Sequence, residues 1–324
     1  MKRFFHRFFL LFLSEILIFL ALSCGIDNGK EFTNSHSQGA NQDCRIVQHV
    51  KGETCIPLNP QRIVTLDFNS LAVSSALDIK PIATWIVTEV EDNFRYFQGK
   101  MNGIYVLRDS VGQINLEKLL SLKPDLILCI SIPEFQRVYK QLSMIAPTVI
   151  LPWRETRGNW RQHLQDAGRV FDKTEMANQL MDEYDHRIQE LKTLMGDRPP
   201  PKISFIFVAD GRIVITRGKK SFAGGILEEL GFLNPLFTES GDDELPISEE
   251  ILPTIDSDIL FVAPLKKDDQ SVIQKLQQKP LWSKLKAVQN NQVYLVDFSV
   301  WRGLNIFAAH EILNDIEKYL INTP

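Results

Sequence analysis

The 324-residue chain lacks the signatures of a catalyst. It has no Gly-x-Ser-x-Gly elbow, no His-Glu-x-x-His pair and no Gly-x-x-x-x-Gly-Lys phosphate loop. Lys219-Lys220-Ser221 is without the glycines such a loop needs. Histidine is scarce, and beyond the leader His36, His49, His163, His186 and His310 form no ligand-like pair. That argues against a site for bare zinc or manganese. Basic charge is in deficit, at a formal −4 with no Lys/Arg tract, which argues against a nucleic-acid partner. The apolar run at 8–22 is interrupted by Ser14 and Glu15 and falls short of the ~20 residues of a spanning helix.

What is present begins with an export leader. Lys2, Arg3 and Arg7 precede that run, and Ala21-Leu22-Ser23-Cys24-Gly25 resembles a lipobox, in which Cys24 carries lipid and becomes the mature terminus. The expected division is a signal peptide over 1–23 and a flexible tether over 24–43, rich in Asn, Ser, Gly and Gln. Plain secretion or a membrane anchor is the alternative. Cys44 and Cys55 flank a hairpin centred on Lys51-Gly52, and an oxidising compartment favours a bridge between them. Because that centre is not midway between the two, direct cross-strand pairing is expected to need a bulge. Cys129, in an apolar strand, reads as a small buried residue.

From residue 44 the pattern alternates short apolar strands with helices, predicting α/β architecture with parallel, doubly wound sheets. Strands are expected at 60–66, 79–85, 126–130 and 147–151, with helices at 71–77 and 133–143, making a first lobe over 44–155. A second lobe over 199–324 has strands at 202–208 and 214–216, a helix at 222–230, further periodic segments at 259–263, 272–276 and 293–296, and a closing helix at 307–320. Within the intervening 156–198, residues 174–195 carry Met176, Leu180, Tyr184, Ile188, Leu191 and Met195 on one helical face. Thr174 is the expected N-cap, and Gly196 with Pro199-Pro200-Pro201 ends the helix. At 1.5 Å per residue such a helix is about 33 Å long.

Three stretches carry a family likeness. They are Gly112 to Leu128, containing Asn115-Leu116-Glu117 and Leu122-Lys123-Pro124-Asp125-Leu126-Ile127-Leu128, then Ser221-Phe222-Ala223-Gly224-Gly225 through Gly231, and Leu281-Trp282-Ser283-Lys284-Leu285 through Tyr294. In this order they resemble the periplasmic binding proteins that deliver ferric siderophores, ferric citrate, haem and cobalamin to ABC importers. The resemblance implies two lobes joined by a single long helix, a ligand cleft between them, and modest closure on binding. It implies no enzymatic step and no resident cofactor, since iron arrives within the ligand. It also implies a monomer held by lipid in the periplasm or on the outer face of the cytoplasmic membrane, with an ABC permease and its ATPase as partners. One glutamate per lobe docks to the permease in such systems, and the matching positions are Glu117 and Glu250, with Glu249 adjacent to the second.

Ligands of open α/β sheets bind beyond the carboxyl ends of the strands. The residues there are Asp67, Phe68, Trp85, Arg108, Ser131 and Trp153 in the first lobe, and Arg217, Ser221, Phe222, Asp297, Trp301 and Arg302 in the second. Arginine forks pair carboxylate oxygens bidentately, and tryptophan supplies flat apolar area. The expected ligand set is therefore Arg108, Arg217 and Arg302 as anion clamps, Trp85, Trp153 and Trp301 as walls, and Ser221. A ferric siderophore or ferric citrate fits that set, with cobalamin or haem as alternatives. A sensor lipoprotein working without a permease is a third reading.

Overall fold

A computed structural model describes residues 44–86, 95–97, 99–107, 114–153, 159–196, 199–216, 221–234, 244–266 and 268–322. Cys24, Arg108 and Arg217 lie outside these. The chain opens with an antiparallel hairpin, β1 (Cys44–His49) and β2 (Gly52–Pro57). Cys44 and Cys55 are bridged, their Cα atoms 5.6 Å apart. Cys44 lies opposite Pro57 and Cys55 opposite Ile46, so the bridge runs diagonally across one face and the ladder stays regular. The bulge expected from the sequence is not needed.

The first sheet is parallel throughout, in the order β5-β4-β3-β6-β7, from β3 (Ile63–Thr65), β4 (Ala83–Trp85), β5 (Tyr105–Leu107), β6 (Leu126–Ile130) and β7 (Thr148–Leu151). Helices α1 (Phe68–Ala76), α2 (Leu116–Ser121) and α3 (Pro133–Ile145) lie in its crossovers. All five residues of β6 are buried, as a central parallel strand covered on both faces requires.

Two helices follow, α4 (Trp160–Phe171) and the long α5 (Thr174–Met195). The N-cap of α5 is Lys173, without a side-chain bond, so Thr174 is the first helical residue and not the cap. Its buried stripe is Ala177, Met181, Tyr184, Ile188 and Leu191; Met176, Leu180 and Met195 flank it half-buried. Gly168 of α4 is where the two helices touch. A Cβ there would lie 2.9 Å from the Ala177 Cβ, so only glycine permits the approach.

The second sheet has the order β10-β9-β8-β11-β12. Strands β8 (Ile203–Ala209), β11 (Ile259–Pro264) and β12 (Val293–Leu295) are parallel. Strand β9 (Arg212–Thr216) runs the opposite way, turning back on β8 at Asp210-Gly211, and β10 (Glu244–Ile247) pairs antiparallel to it at the sheet edge. The expected wholly parallel second lobe is thus corrected to a mixed sheet. Helices α6 (Phe222–Glu229) and α7 (Asp269–Gln277) pack on it, and the 272–276 segment belongs to α7. A helical turn α8 (Phe298–Trp301) and helix α9 (Ile306–Ile316) close the chain, the last turn widening over Glu317–Ile321.

One device recurs in both lobes. The Asp125 carboxylate, just before β6, accepts from the Gln61 and Arg62 amides just before β3, at 2.7 and 2.8 Å. The Asp258 carboxylate, just before β11, accepts from the Lys202 amide just before β8, at 2.8 Å. Each pairs the central strands of its sheet at their amino ends. In the first lobe Lys123, ahead of Pro124, adopts φ +47° instead of the extended backbone usual before proline. Its carbonyl and that of Leu122 accept from the Arg62 guanidinium.

A single apolar cluster joins the sheets. It runs from Leu126, Leu128 and Val149 through Trp160, Leu164, Tyr184 and Leu191 to Phe205, Phe261 and Ile312. Beside it Arg161 of α4 pairs with Asp185 of α5 at 2.6 Å and Glu229 of α6 at 3.2 Å, and the Tyr184 hydroxyl donates to Glu229 at 2.9 Å.

Candidate functional site

At the carboxyl edge of the first sheet, β3 leads directly into the cap of α1. The Asp67 carboxylate accepts from the Ser70 amide and hydroxyl, at 2.7 and 2.8 Å, and from the Ile130 amide at 3.0 Å. Burial pushes its pKa up to about 6, against the pull of these hydrogen bonds. Asp67 is consequently a structural tie between β3, α1 and β6. Ser131, after β6, accepts from the Trp153 amide at 2.8 Å and so fixes the chain beyond β7. Trp153 is half-buried with its ring 5.1 Å from His163 of α4, edge to face. Trp85, at the end of β4, is half-buried against Phe135 at 6.1 Å. Both tryptophans stand at the edge where the sequence places ligand walls, each steadied by one aromatic neighbour.

Trp301 does not. It is fully buried, its ring 4.3 Å from Phe261 and 5.0 Å from Phe205, and its indole N–H donates to Asp315 at 2.9 Å. The expectation that Trp301 lines a ligand is corrected: it faces inward from α8 and packs the second lobe's core. Arg302, one residue on, lies against the same face of β8 but nearer its carboxyl end. It is half-buried, with its guanidinium carbon 5.9 Å from the Phe207 ring centroid near the carboxyl end of β8. Phe207 in turn meets Phe298 at 5.1 Å. The helical phase of α8 separates the pair, sending one side chain to the core and the other to the edge.

The antiparallel β9 changes the position of the next expected group. Thr216 donates to the Phe205 carbonyl, two residues from the start of β8, so β9 ends away from the carboxyl edge. The rule about strand ends therefore does not place Arg217. Ser221 is the N-cap of α6, its hydroxyl accepting from the Gly224 amide at 3.1 Å, and Phe222 is buried 6.5 Å from Trp160.

Glu117 and Glu250 are both exposed. Glu117 lies in the first turn of α2, which Asn115 caps by accepting from the Lys118 amide at 2.9 Å. Glu250 lies in the 3-10 segment Glu249–Ile255, beside exposed Ile251.

Three contributors were not nominated from the sequence. Phe207 reads there only as a strand residue; its place at the end of β8 is the signal that could have found it. His163 is wholly buried on the inward face of α4, where burial lowers its pKa to about 4. Tyr96, in the turn Arg95–Phe97, reaches the second lobe and donates to the Ser299 carbonyl at 3.1 Å. Among the described residues, no group of three or more His, Cys, Asp or Glu could hold a metal ion. No described helix is long and apolar enough to cross a membrane. A cavity of about 530 Å³ lies at the far end of α5, against the amino edge of the second sheet, with Lys192, Pro201, Phe232, Ile259, Tyr294 and Tyr319 in its wall. It contains none of the expected ligand residues.

The periplasmic binding protein family model matches residues 63–300, nearly the whole of both sheets. The chain belongs to the periplasmic binding protein family. A probable siderophore-binding lipoprotein of Bacillus subtilis, YfiY, is 31% identical over 90% of this chain and 92% of its own length. The Fe(3+)-citrate-binding protein YfmC of the same organism is 29% identical over 96% of this chain and 98% of its own. Among solved structures, Staphylococcus aureus SirA complexed with staphyloferrin B superposes with a TM-score of 0.72 at 26% identity, covering 85% of this chain and 98% of that one. As a member of this family the chain is a binding protein and not an enzyme. The two α/β lobes and the long α5 of the periplasmic binding protein fold are both present.

Proposed function

We propose that the chain is the lipid-anchored substrate-binding subunit of an ABC importer, which captures a ferric siderophore or ferric citrate-like complex and hands it to the permease. Residues 1–23 serve as signal peptide, Cys24 and the tether to 43 as anchor, 44–155 and 199–324 as lobes, and 156–198 as their link. The relatives support the ligand class, since their names specify siderophore and Fe(3+)-citrate. The observation that carries the site is Arg302 lying over Phe207 at the edge of the second sheet. A guanidinium over an aromatic face, partly withdrawn from water, is suited to a carboxylate- or hydroxamate-bearing chelate. Trp85 and Trp153 supply apolar area from the first lobe, Ser221 adds a hydroxyl, and Arg108 completes the cationic lining. Iron travels as part of the ligand. Glu117 and Glu250 meet the permease, where exposed charge sets orientation and association rate more than affinity.

Tryptophan fluorescence of residues 44–324 tests the reading. Ferric citrate, ferric hydroxamates, ferric catecholates, haemin and cobalamin are titrated in turn. Saturable quenching by one ferric class, absent with the iron-free chelator and lost in Arg302→Ala, is the expected result. Quenching by haemin or cobalamin alone would reassign the ligand, and silence across the panel would overturn the iron reading.

A further inference from the structure

The turn that carries Arg302 is strained and crowded. Leu304 sits at φ +53°, a left-handed conformation that a bulky side chain rarely adopts. Gly303 has no room for a side chain: a Cβ would collide with Ala308, and would lie 2.7 Å from the Ser299 carbonyl oxygen and 2.8 Å from the Tyr96 hydroxyl. Such a backbone persists only when its surroundings determine it several times over. Asn305, buried to 1% exposure, supplies part of that restraint. Its carbonyl oxygen caps α9 by accepting from the Ala308 amide at 3.1 Å, and its amide donates to the Gly303 carbonyl at 2.6 Å. Further restraint comes from the other lobe. Tyr96 belongs to the crossover between β4 and β5, yet its hydroxyl donates to the Ser299 carbonyl at 3.1 Å and lies 3.4 Å from the Asn305 amide nitrogen. Phe97 beside it packs edge to face on Phe307 of α9 at 5.8 Å, and the Lys100 amine sits 4.5 Å over the same ring.

We infer that Tyr96 is a positioning residue for ligand capture: from the first lobe, its hydroxyl holds the Ser299–Leu304 turn of the second lobe so that Arg302 is set before the ligand arrives. This rests on the reading of Arg302 as a ligand contact. Pre-setting one charged side chain raises affinity by removing an ordering cost from the binding step. The contact also links lobe orientation to the aim of the arginine, because any movement that separates Tyr96 from Ser299 removes that restraint from the turn.

Tyr96→Phe deletes one hydroxyl and keeps the ring against Phe68. Hydrogen exchange across residues 298–305 gives a readout that needs no ligand. The Arg302 and Gly303 amides, bonded to the Phe298 and Val300 carbonyls, are expected to exchange about tenfold faster in the variant, with residues 63–76 unchanged. Unchanged exchange in 298–305 would overturn the inference whatever the ligand proves to be. With the ferric complex that quenches wild-type protein, affinity is expected to fall about three- to tenfold, the worth of one hydrogen bond. In an Arg302→Ala background the same substitution should cost nothing further. An equal loss in both backgrounds would show that Tyr96 acts elsewhere than through Arg302. If wild-type protein binds no ferric complex, the proposed ligand fails, while the exchange measurement still decides the role of Tyr96.

Discussion

Trp301 donates its indole N–H to the Asp315 carboxylate across 2.9 Å, and both side chains are buried. This bond joins α8 to α9 in the core of the second lobe, and it separates Trp301 from the half-buried Trp153, which looks like it in the sequence.

Trp301→Ala is expected to cost about 3–5 kcal/mol of stability, the usual loss for a large core aromatic, and to leave Asp315 without its indole donor. Trp153→Ala, at a half-buried edge position, should cost less stability and weaken binding of the ferric complex instead. Urea unfolding and ligand titration of the two variants read these opposite outcomes.

Charge reversal at the exposed glutamates, Glu117→Lys or Glu250→Lys, is expected to leave ligand affinity unchanged and to abolish uptake of the labelled ferric complex by cells. Sustained uptake in the double variant would move the chain toward a role without a permease. Pairing each variant with Glu249→Lys identifies which of the adjacent carboxylates docks.

The Cys44–Cys55 bridge closes a short loop, with a sequence separation of 11. Loop-closure entropy gives it a worth of about 2–3 kcal/mol. The Cys44→Ser/Cys55→Ser variant should melt at lower temperature, while ligand affinity stays at the wild-type value because the hairpin holds none of the proposed ligand residues. Reducing agent should lower the wild-type melting temperature toward that of the variant.

His163 predicts an acid-sensitive component of stability. Burial holds its folded pKa at about 4, while an unfolded histidine titrates near 6.5. Between these values the unfolded chain binds the extra proton, so stability falls as pH drops from about 6.5 to about 4. His49, also lowered to about 4 by burial, adds to the fall. Asp67 and Asp166, raised to about 6, oppose it over roughly pH 4 to 6. His163→Phe removes one contribution and leaves the others. On acidification wild-type protein should therefore lose more melting temperature than the variant, and parallel curves would contradict the assignment.

The sequence made the spine legible because one long helix with apolar residues at helical spacing and a Gly-Pro stop admits few readings. Tyr184, Ile188 and Leu191 are buried as the spacing predicts, while in the first turns the buried positions are Ala177 and Met181 and not Met176 and Leu180, because Gly168 lets α4 approach at Ala177. The parallel first sheet is equally plain except for its three-residue edge strand β5, which is not among the expected strands. Asp210-Gly211 is a hairpin signal, and the reversal it makes in β9 takes that strand's end out of reach of the strand-end rule. Trp301 and Arg302 show a subtler limit. Adjacent residues on a helical turn reach different points along the sheet, so proximity to a strand end cannot say which one reaches the ligand. The Tyr96 contact, spanning two lobes, has no local pattern at all.

The apolar cluster that runs unbroken from Leu126 to Ile312 by way of Tyr184 has a further consequence. Each lobe also holds a smaller apolar cluster of its own, but the largest is shared, so the melting of one lobe exposes the partner's packing to water. Heat should therefore take the whole assembly apart as one cooperative unit, with a calorimetric enthalpy matching the van't Hoff value, and the slowest-exchanging amides should be found in α5, midway between the lobes and not at the centre of either sheet.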